Sequence, residues 1–224
     1  FGMDDLTGTP VDLVRYAILA SNPHNTQPWL FRVSENQIDL FADPSRNIGN
    51  MDPQRREMIT GVGCALANMH IAAPALGYEV STALLPDAEN DMHLATLTLT
   101  KSPPSDAPLF EFIPKRRTDR YAYDTDREIP NEMLRRIGAH ADPLDDVEIL
   151  WVAKGSQKQE LEDLIISATE AIIDDKEQSK DSYAWQRKSW DDIQTFRDGI
   201  TLDCTGIDEF TAFMGKMLPF PSQE

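Results

Sequence analysis

Apolar residues in this chain recur either every three to four positions or every second position, and the changes of period predict its elements. Thr9-Pro10-Val11-Asp12 has the form of a helix start, with Thr9 as N-cap, a proline in the first turn and an acid three residues after the cap. Leu13, Tyr16, Ala17 and Ala20 then share one helical side. Trp29, Phe31 and Val33 alternate with Leu30, Arg32 and Ser34, and Ile38 and Leu40 flank Asp39 beyond a turn at Glu35-Asn36. That pattern predicts a hairpin with one strongly apolar face. Asp52-Pro53 repeats the cap-then-proline signal, and Gly77 is a natural stop. Between them, Met58 to Ala73 is apolar nearly all round, so a buried central helix is expected, with Pro74 kinking its last turn by freeing the carbonyl of His70. Val80 to Leu85 and Leu94 to Leu99 read as two more strands around an Asp/Glu/Asn turn.

Lys101 to Pro108 contains three prolines and is the best internal boundary. Beyond it the pattern predicts a short helix, a helix over 130–141, a strand over 147–152, and a long helix capped by Ser156 with Gln159. Leu161, Leu164, Ile165, Ala168 and Ile172 mark the apolar side of that helix. The tail holds Trp185 and Trp190, a turn at Asp198-Gly199, and an amphipathic stretch through Phe210, Phe213, Met214 and Met217. There is no tandem repeat and no low-complexity segment. Residues 1–224 read as a single α+β unit with an antiparallel or mixed sheet flanked by helices.

A chain of 224 residues can bury roughly 70% of its unfolded surface, so neither metal nor disulfide is needed to fold it. Lys and Arg number 21 against 38 Asp and Glu, a formal charge of −17. Such a surface repels phosphate backbones and anionic lipid, which argues against nucleic acid or membrane as partner. Cys64 and Cys204 stand far apart without a Cys-x-x-Cys pair, which argues against a structural zinc site. No apolar run approaches the roughly 18 residues of a membrane span, and no secretory signal is visible. A cytoplasmic protein is expected, and the opening at Phe1 rather than Met is consistent with a trimmed N-terminus.

Three features carry candidate chemistry. Ser21-Asn22-Pro23-His24-Asn25-Thr26-Gln27-Pro28-Trp29 packs hydroxyls, amides and an imidazole between two prolines, which push Asn22 and Gln27 towards extended backbone. This suits a rigid loop that hydrogen-bonds a flat polar ligand; the plainer reading is a polar helix-to-strand connection. Lys115-Arg116-Arg117-Thr118-Asp119-Arg120 sets four cations in six residues of an otherwise acidic chain. Arginine forks suit phosphate oxygens, and the plainer reading is a solvated cluster paired with surface acids. Gly61, Gly63, Ala65 and Ala67 line the central helix, where small residues admit another helix or a planar ring. His24 has a near-neutral intrinsic pKa and is the one candidate for a chemical role, although most histidines in such loops bond the backbone. Cys64 reads as inert, and His70, Trp185 and Trp190 as packing residues.

Pro23-His24-Asn25-Thr26-Gln27-Pro28-Trp29 resembles the flavin-contacting loop of the nitroreductase superfamily, in the spelling of its fused, Acg-like branch. The family's usual Ser after Pro is displaced, the order here being Ser21-Asn22-Pro23. Arg116-Arg117-Thr118-Asp119-Arg120 resembles the run that holds the phosphate of FMN in that branch, and Gly61 to Ala73 resembles its central helix. The resemblance covers about residues 9 to 140. It implies a nitroreductase-like α+β fold, with 9–108 as a first half and 109–224 as the start of a second. It implies FMN held by Asn22, Pro23, His24, Asn25, Thr26, Gln27, Arg116, Arg117, Thr118 and Arg120. It further implies NAD(P)H as donor, a nitroaromatic or quinone acceptor, chemistry on the flavin rather than on a side chain, and a homodimer or fused pseudo-dimer. A second small-residue helix is absent after Trp190, so the chain is truncated, dimerises, or has lost one site. Two alternatives stand beside the reductase: a protein that sequesters FMN under a lid formed by Lys176 to Asp203, and a flavin-free α+β interaction module.

Overall fold

The structure, a computed structural model, describes residues 6–140 and 147–217. The chain divides into two units, one of residues up to Arg120 together with those from Lys180 on, the other of residues Tyr121–Ser179.

In the first unit, helix α1 (Val11–Ala17) leads through the Ser21–Pro28 loop to strands β1 (Trp29–Val33) and β2 (Gln37–Ala42). Helix α2 (Arg56–Ala75) then crosses to β3 (Tyr78–Leu84) and β4 (His93–Lys101). The sheet is antiparallel throughout in the order β1-β2-β4-β3, so β4 enters between the first hairpin and β3. The chain is thus α+β, as the alternation predicts. Its alternation is faithful to burial: Ile38, Leu40, Ala95, Leu97 and Leu99 point into the core, and Trp29 and Tyr78 close its ends. The core is completed by Leu13, Tyr16 and Ala17 of α1 and by one stripe of α2. The amide of Asn68 donates to the carbonyl of Tyr16 at 3.0 Å, joining the two helices.

Three expected caps are made differently. Thr9 offers α1 only its backbone carbonyl, and Pro10 is the N-cap. Asp12, 2% exposed, turns back instead to accept the backbone N–H groups of Thr7 and Gly8 at 2.7–3.0 Å. Helix α2 starts at Arg56, after Arg55 takes a left-handed φ of 58°. Asp52 nevertheless reaches across the turn to accept from the backbone N–H of Met58 at 2.9 Å. Gly77 does stop the helix region, at φ 77°, where an added Cβ would stand 2.9 Å from the Ser102 carbonyl oxygen.

The central helix is not buried all round. It buries Met58, Gly61, Val62, Ala65, Met69, Ala72 and Ala73, while Ile59, Gly63, Ala67 and His70 are exposed. An apolar composition does not specify how many faces are covered; only the neighbours do. By length and mean hydropathy of 1.2 the helix could cross a membrane, but here it supplies the core stripe.

The outer face of the sheet carries a polar network. Asp39, 5% exposed, accepts from the Thr96 hydroxyl at 2.7 Å and the Gln37 amide at 2.9 Å, with His93 Nε2 at 3.3 Å. Burial raises the Asp39 pKa, but those two hydrogen bonds, with His93 and Arg32, outweigh it and hold the carboxyl below its ordinary value. A carboxylate lowered in the folded state contributes stability above the unfolded pKa of about 3.9 and loses it as pH falls through the folded value. Asp39→Asn is therefore expected to flatten the acid limb of the stability profile below about pH 4. Urea midpoints at pH 6, 5, 4 and 3 test this; parallel curves for the two proteins would refute it.

In the second unit, α3 (Asn131–Gly138) and α4 (Ser156–Asp174) occupy the expected positions. Gly155, at φ 81°, precedes α4 as N-cap, and Ser156 is its first residue with no side-chain cap. The expected strand over 147–152 does not form: only Val147 makes a bridge, and Leu150 is 73% exposed. A strand needs a paired neighbour, and the described residues provide none beyond that bridge. Helix α5 (Lys176–Tyr183) runs across the division at Lys180; α6 (Trp190–Phe196), with a capping box between Ser189 and Asp192, and α7 (Glu209–Met217) belong to the first unit. The amphipathic tail is thus helical, but Phe210, Phe213 and Met217 are exposed and Ala212 is its buried residue.

Candidate functional site

The Ser21–Pro28 loop is rigid for a reason the prolines alone do not supply. His24, Asn25 and Gln27 have φ of 47°, 53° and 52°, left-handed values that cost a non-glycine residue about 1 kcal/mol each. Asn22 is extended, as expected of a residue before proline, but Gln27 is not. Its backbone N–H instead donates to Asn22 Oδ1 at 2.7 Å, closing the loop on itself. Thr26 is fully buried, and its Oγ1 has no hydrogen-bond partner among the described residues.

Gly61 of α2 explains how the loop sits so close to the helix. An added Cβ would lie 2.9 Å from Asn22 Cβ and 3.2 Å from Asn22 Cα and Pro23 Cδ. The close approach that requires a small residue here is that of the loop's own chain. Gly63 meets nothing within 4 Å and faces outward.

Two cavities flank the loop and share Ser21 and Asn22. The first, about 730 Å³, runs along the start of α2 and is lined also by Pro23, Arg56, Glu57, Thr60, Gly61 and Cys64. Burial, with the nearby Asp52, raises the Glu57 pKa, so this wall holds its proton to higher pH than an ordinary glutamate. Cys64 is half-buried and lines this cavity, because α2 presents a second stripe outward. The second cavity, about 680 Å³, is lined by Asn22 and Asn25 on the loop side and by Arg116, Arg117, Thr118 and Arg120 on the other. Residues some 95 positions apart in sequence therefore converge on one space.

The basic run is held mostly by contacts close in sequence, with one hydrogen bond back to Leu19, just beyond α1. Arg116 donates to the Thr118 hydroxyl at 3.2 Å and to the Leu19 carbonyl at 3.1 Å, and Arg117 donates to the carbonyls of Pro114 and Arg116. Lys115 pairs with Glu111 and does not line the cavity. Among the described residues no ion pair engages Arg116, Arg117 or Arg120.

His24, Thr26 and Gln27 line neither cavity. His24 and Gln27 instead meet segment 180–200, which seats on the loop. His24 Nε2 lies 3.1 Å from Ser182 Oγ, and the Gln27 amide donates to the Arg197 carbonyl at 2.6 Å. Asn25 donates its amide to the Gly199 carbonyl at 3.1 Å and accepts the Gly199 N–H at 3.0 Å. Burial first, and Arg120 second, lower the His24 pKa, so the imidazole is neutral near pH 7.

A buried charge cluster fixes the same segment. Asp198 accepts two N–H groups of Arg187 on Oδ1, at 2.7 and 3.0 Å, and Arg46 Nη1 on Oδ2 at 3.1 Å. Arg46 also donates to the Thr26 carbonyl at 2.8 Å. The Arg187 guanidinium lies over the rings of Phe196 and Trp185, at 4.7 and 5.6 Å, so Trp185 does pack, whereas Trp190 is exposed. Reasoning along the sequence did not single out Arg46, Arg187 or Asp198; an Asp-Gly turn signals a bend but not the partner of its carboxylate.

No protein-family profile matches the chain. Two Mycobacterium tuberculosis sequences provisionally named NAD(P)H nitroreductases, from strains CDC 1551 and H37Rv, are each 38% identical to it over 109 residues. Each match covers 48% of this chain and 32% of the relative. A further H37Rv protein with the same provisional name, acg, is 28% identical over 130 residues, 54% of this chain and 38% of its own length. The match thus spans about a third of these relatives. Relationship to the nitroreductase superfamily, and to its Acg-like branch, agrees with the motifs read from the sequence.

Proposed function

We propose that this chain forms an FMN site of an oxidoreductase of nitroreductase type, which takes hydride from NAD(P)H and passes electrons to a nitroaromatic or quinone acceptor. The observation that carries this reading is the cavity of about 680 Å³ that joins the Asn22–Asn25 loop to Arg116, Arg117, Thr118 and Arg120. Its size suits a cofactor, and a cluster of guanidiniums suits a phosphate dianion. The relatives' names support a nitroreductase, and the match to a third of their length leaves the rest of such a site to a second copy or a fused half.

FMN, when bound, supplies the two-electron chemistry, accepting hydride and releasing electrons. Arg116, Arg117, Thr118 and Arg120 would hold its phosphate, and Asn22 and Asn25 would bond its polar chain and ring edge. Pro23 and Gly61, at the wall of the neighbouring cavity, would set how closely a ring approaches α2. His24, neutral and bonded to Ser182, would act by holding the loop rather than by transferring a proton.

One observation favours a second reading, sequestration of FMN under a lid. Segment 180–200 already takes up the hydrogen-bonding groups of His24, Asn25 and Gln27. The visible spectrum of the purified protein with FMN, before and after anaerobic NADPH, separates the two. Bleaching of a bound flavin is the expected result for a reductase. A bound flavin that stays oxidised favours the lid, and no bound flavin at all would refute both.

A further inference from the structure

The basic cavity has a fourth guanidinium that lies outside the 116–120 run. Arg197 lines the cavity together with Arg116, Arg117 and Arg120, and it comes from the segment 180–200. Its backbone is pinned on both sides. The Arg197 carbonyl accepts the Gln27 amide at 2.6 Å, and Gly199, two residues on, exchanges hydrogen bonds with Asn25. Of the side chain's donors, Nε is used on the Gln194 carbonyl at 3.3 Å, and no ion pair engages Arg197 among the described residues. The one carboxylate lining the cavity is Asp198, and both of its oxygens are taken by Arg187 and Arg46.

The backbone of Arg197 adds a second, independent observation. It ends α6 at φ 52°, the left-handed capping position where glycine is strongly favoured. Four of the six non-glycine residues with positive φ among those described are His24, Asn25, Gln27 and Arg197, so the strain collects where loop and segment meet. An arginine kept at a glycine position, on the wall of a cavity it shares with three arginines that make no ion pair among the described residues, is held there against electrostatic repulsion as well. An anion between them would offset the repulsion.

We propose that Arg197 is the fourth anion-binding side chain of this cavity, so that a phosphate group is gripped by the 116–120 run on one side and by segment 180–200 on the other. The phosphate then holds the segment closed, because only the closed form presents all four guanidiniums. This rests on the phosphate-binding reading of the cavity. The shared chemistry is a phosphate mono-ester or free phosphate, and the ligand arms distinguish them.

The test compares the wild type with Arg197→Ala and Arg197→Gly, using FMN, riboflavin and inorganic phosphate. Glycine relieves the backbone strain at this position, so Arg197→Gly keeps the fold while removing the guanidinium. Both variants are expected to bind FMN about ten- to a hundred-fold more weakly, with riboflavin affinity unchanged. FMN is expected to slow proteolysis of segment 180–200 in the wild type and not in either variant. Wild-type FMN affinity and protection in Arg197→Gly would overturn the proposal. If FMN does not bind but phosphate protects the wild type and not the variants, the flavin reading fails and the anion site stands, with free phosphate as its ligand. No response to either ligand overturns both.

Discussion

Asp198→Ala is expected to loosen segment 180–200 on the Ser21–Pro28 loop. The Asp198 and Arg187 side chains are 8% and 11% exposed, and their contact is bidentate. Removing one partner of a buried pair strands the other charge away from water, a change that costs about 3–5 kcal/mol. Arg46, more than a third exposed, recovers hydration and contributes little to that figure. The remaining anchors are hydrogen bonds, one each at Ser182 and Arg197, two between Asn25 and Gly199 and two from Asn50 to Asp181, each worth about 1 kcal/mol. Together they are of the same order as that loss, so the segment opens more often rather than coming fully free. The effect is therefore local: faster cleavage between 180 and 200 under limited proteolysis, with the sheet and α2 still folded. Asp198→Asn, which keeps an acceptor of the same shape, should fall between the two. Unchanged cleavage in Asp198→Ala would mean that the charge cluster does not hold the segment.

The second large effect is on the ligand. Arg116→Ala/Arg117→Ala is expected to weaken FMN binding by at least about a hundred-fold while sparing riboflavin, since charge-assisted hydrogen bonds to a phosphate contribute about 1.5–3 kcal/mol each. All their hydrogen bonds among the described residues are exposed, and the bond from Arg116 to the Leu19 carbonyl is the one that reaches beyond the run's own neighbourhood, so the fold should survive their loss. The single variants are expected to lose less than half of the double variant's effect each, because either guanidinium partly neutralises the phosphate alone. Raising salt should weaken wild-type binding of FMN more than that of riboflavin. Isothermal titration with the two flavins reads all of this. Equal weakening of riboflavin would point to a damaged loop rather than a lost phosphate site.

These two experiments probe different halves of one arrangement. Asp198 governs whether the segment stays on the loop, and Arg116 with Arg117 governs what the cavity attracts. If the segment is a lid, Asp198→Ala would also let NADPH reduce a flavin that the intact protein shields. If the site is already open to donor, the same change would leave the reduction rate as it is.

The sequence by itself determined the local structure and the chemical types at the site. Alternation at Trp29–Val33 and Ile38–Leu40 specifies both strands and which face is buried, because successive side chains on a strand point to opposite sides. Asn22, Asn25, Gln27 and the arginines of the 116–120 run were legible as unusual words in an acidic chain, whereas Arg46, Arg187 and Arg197 were not. Caps were less so: Thr9 and Ser156 have the right chemistry, but a hydroxyl caps only if the entering chain places it over the first turn. The residues 147–152 have strand composition, but beyond the bridge at Val147 no strand pairs with them among the described residues, and a ladder cannot form from one side. For α2 the sequence specifies an apolar helix, and only the arrangement of α1 and the sheet decides that one stripe is covered. The site itself belongs to tertiary structure. Asn25 meets Gly199 across 174 positions and His24 meets Ser182 across 158, and no local period encodes a contact at that separation. Those contacts exist because the core brings the ends of separate elements to one place, where buried charges and strained backbone must find partners or remain unpaired.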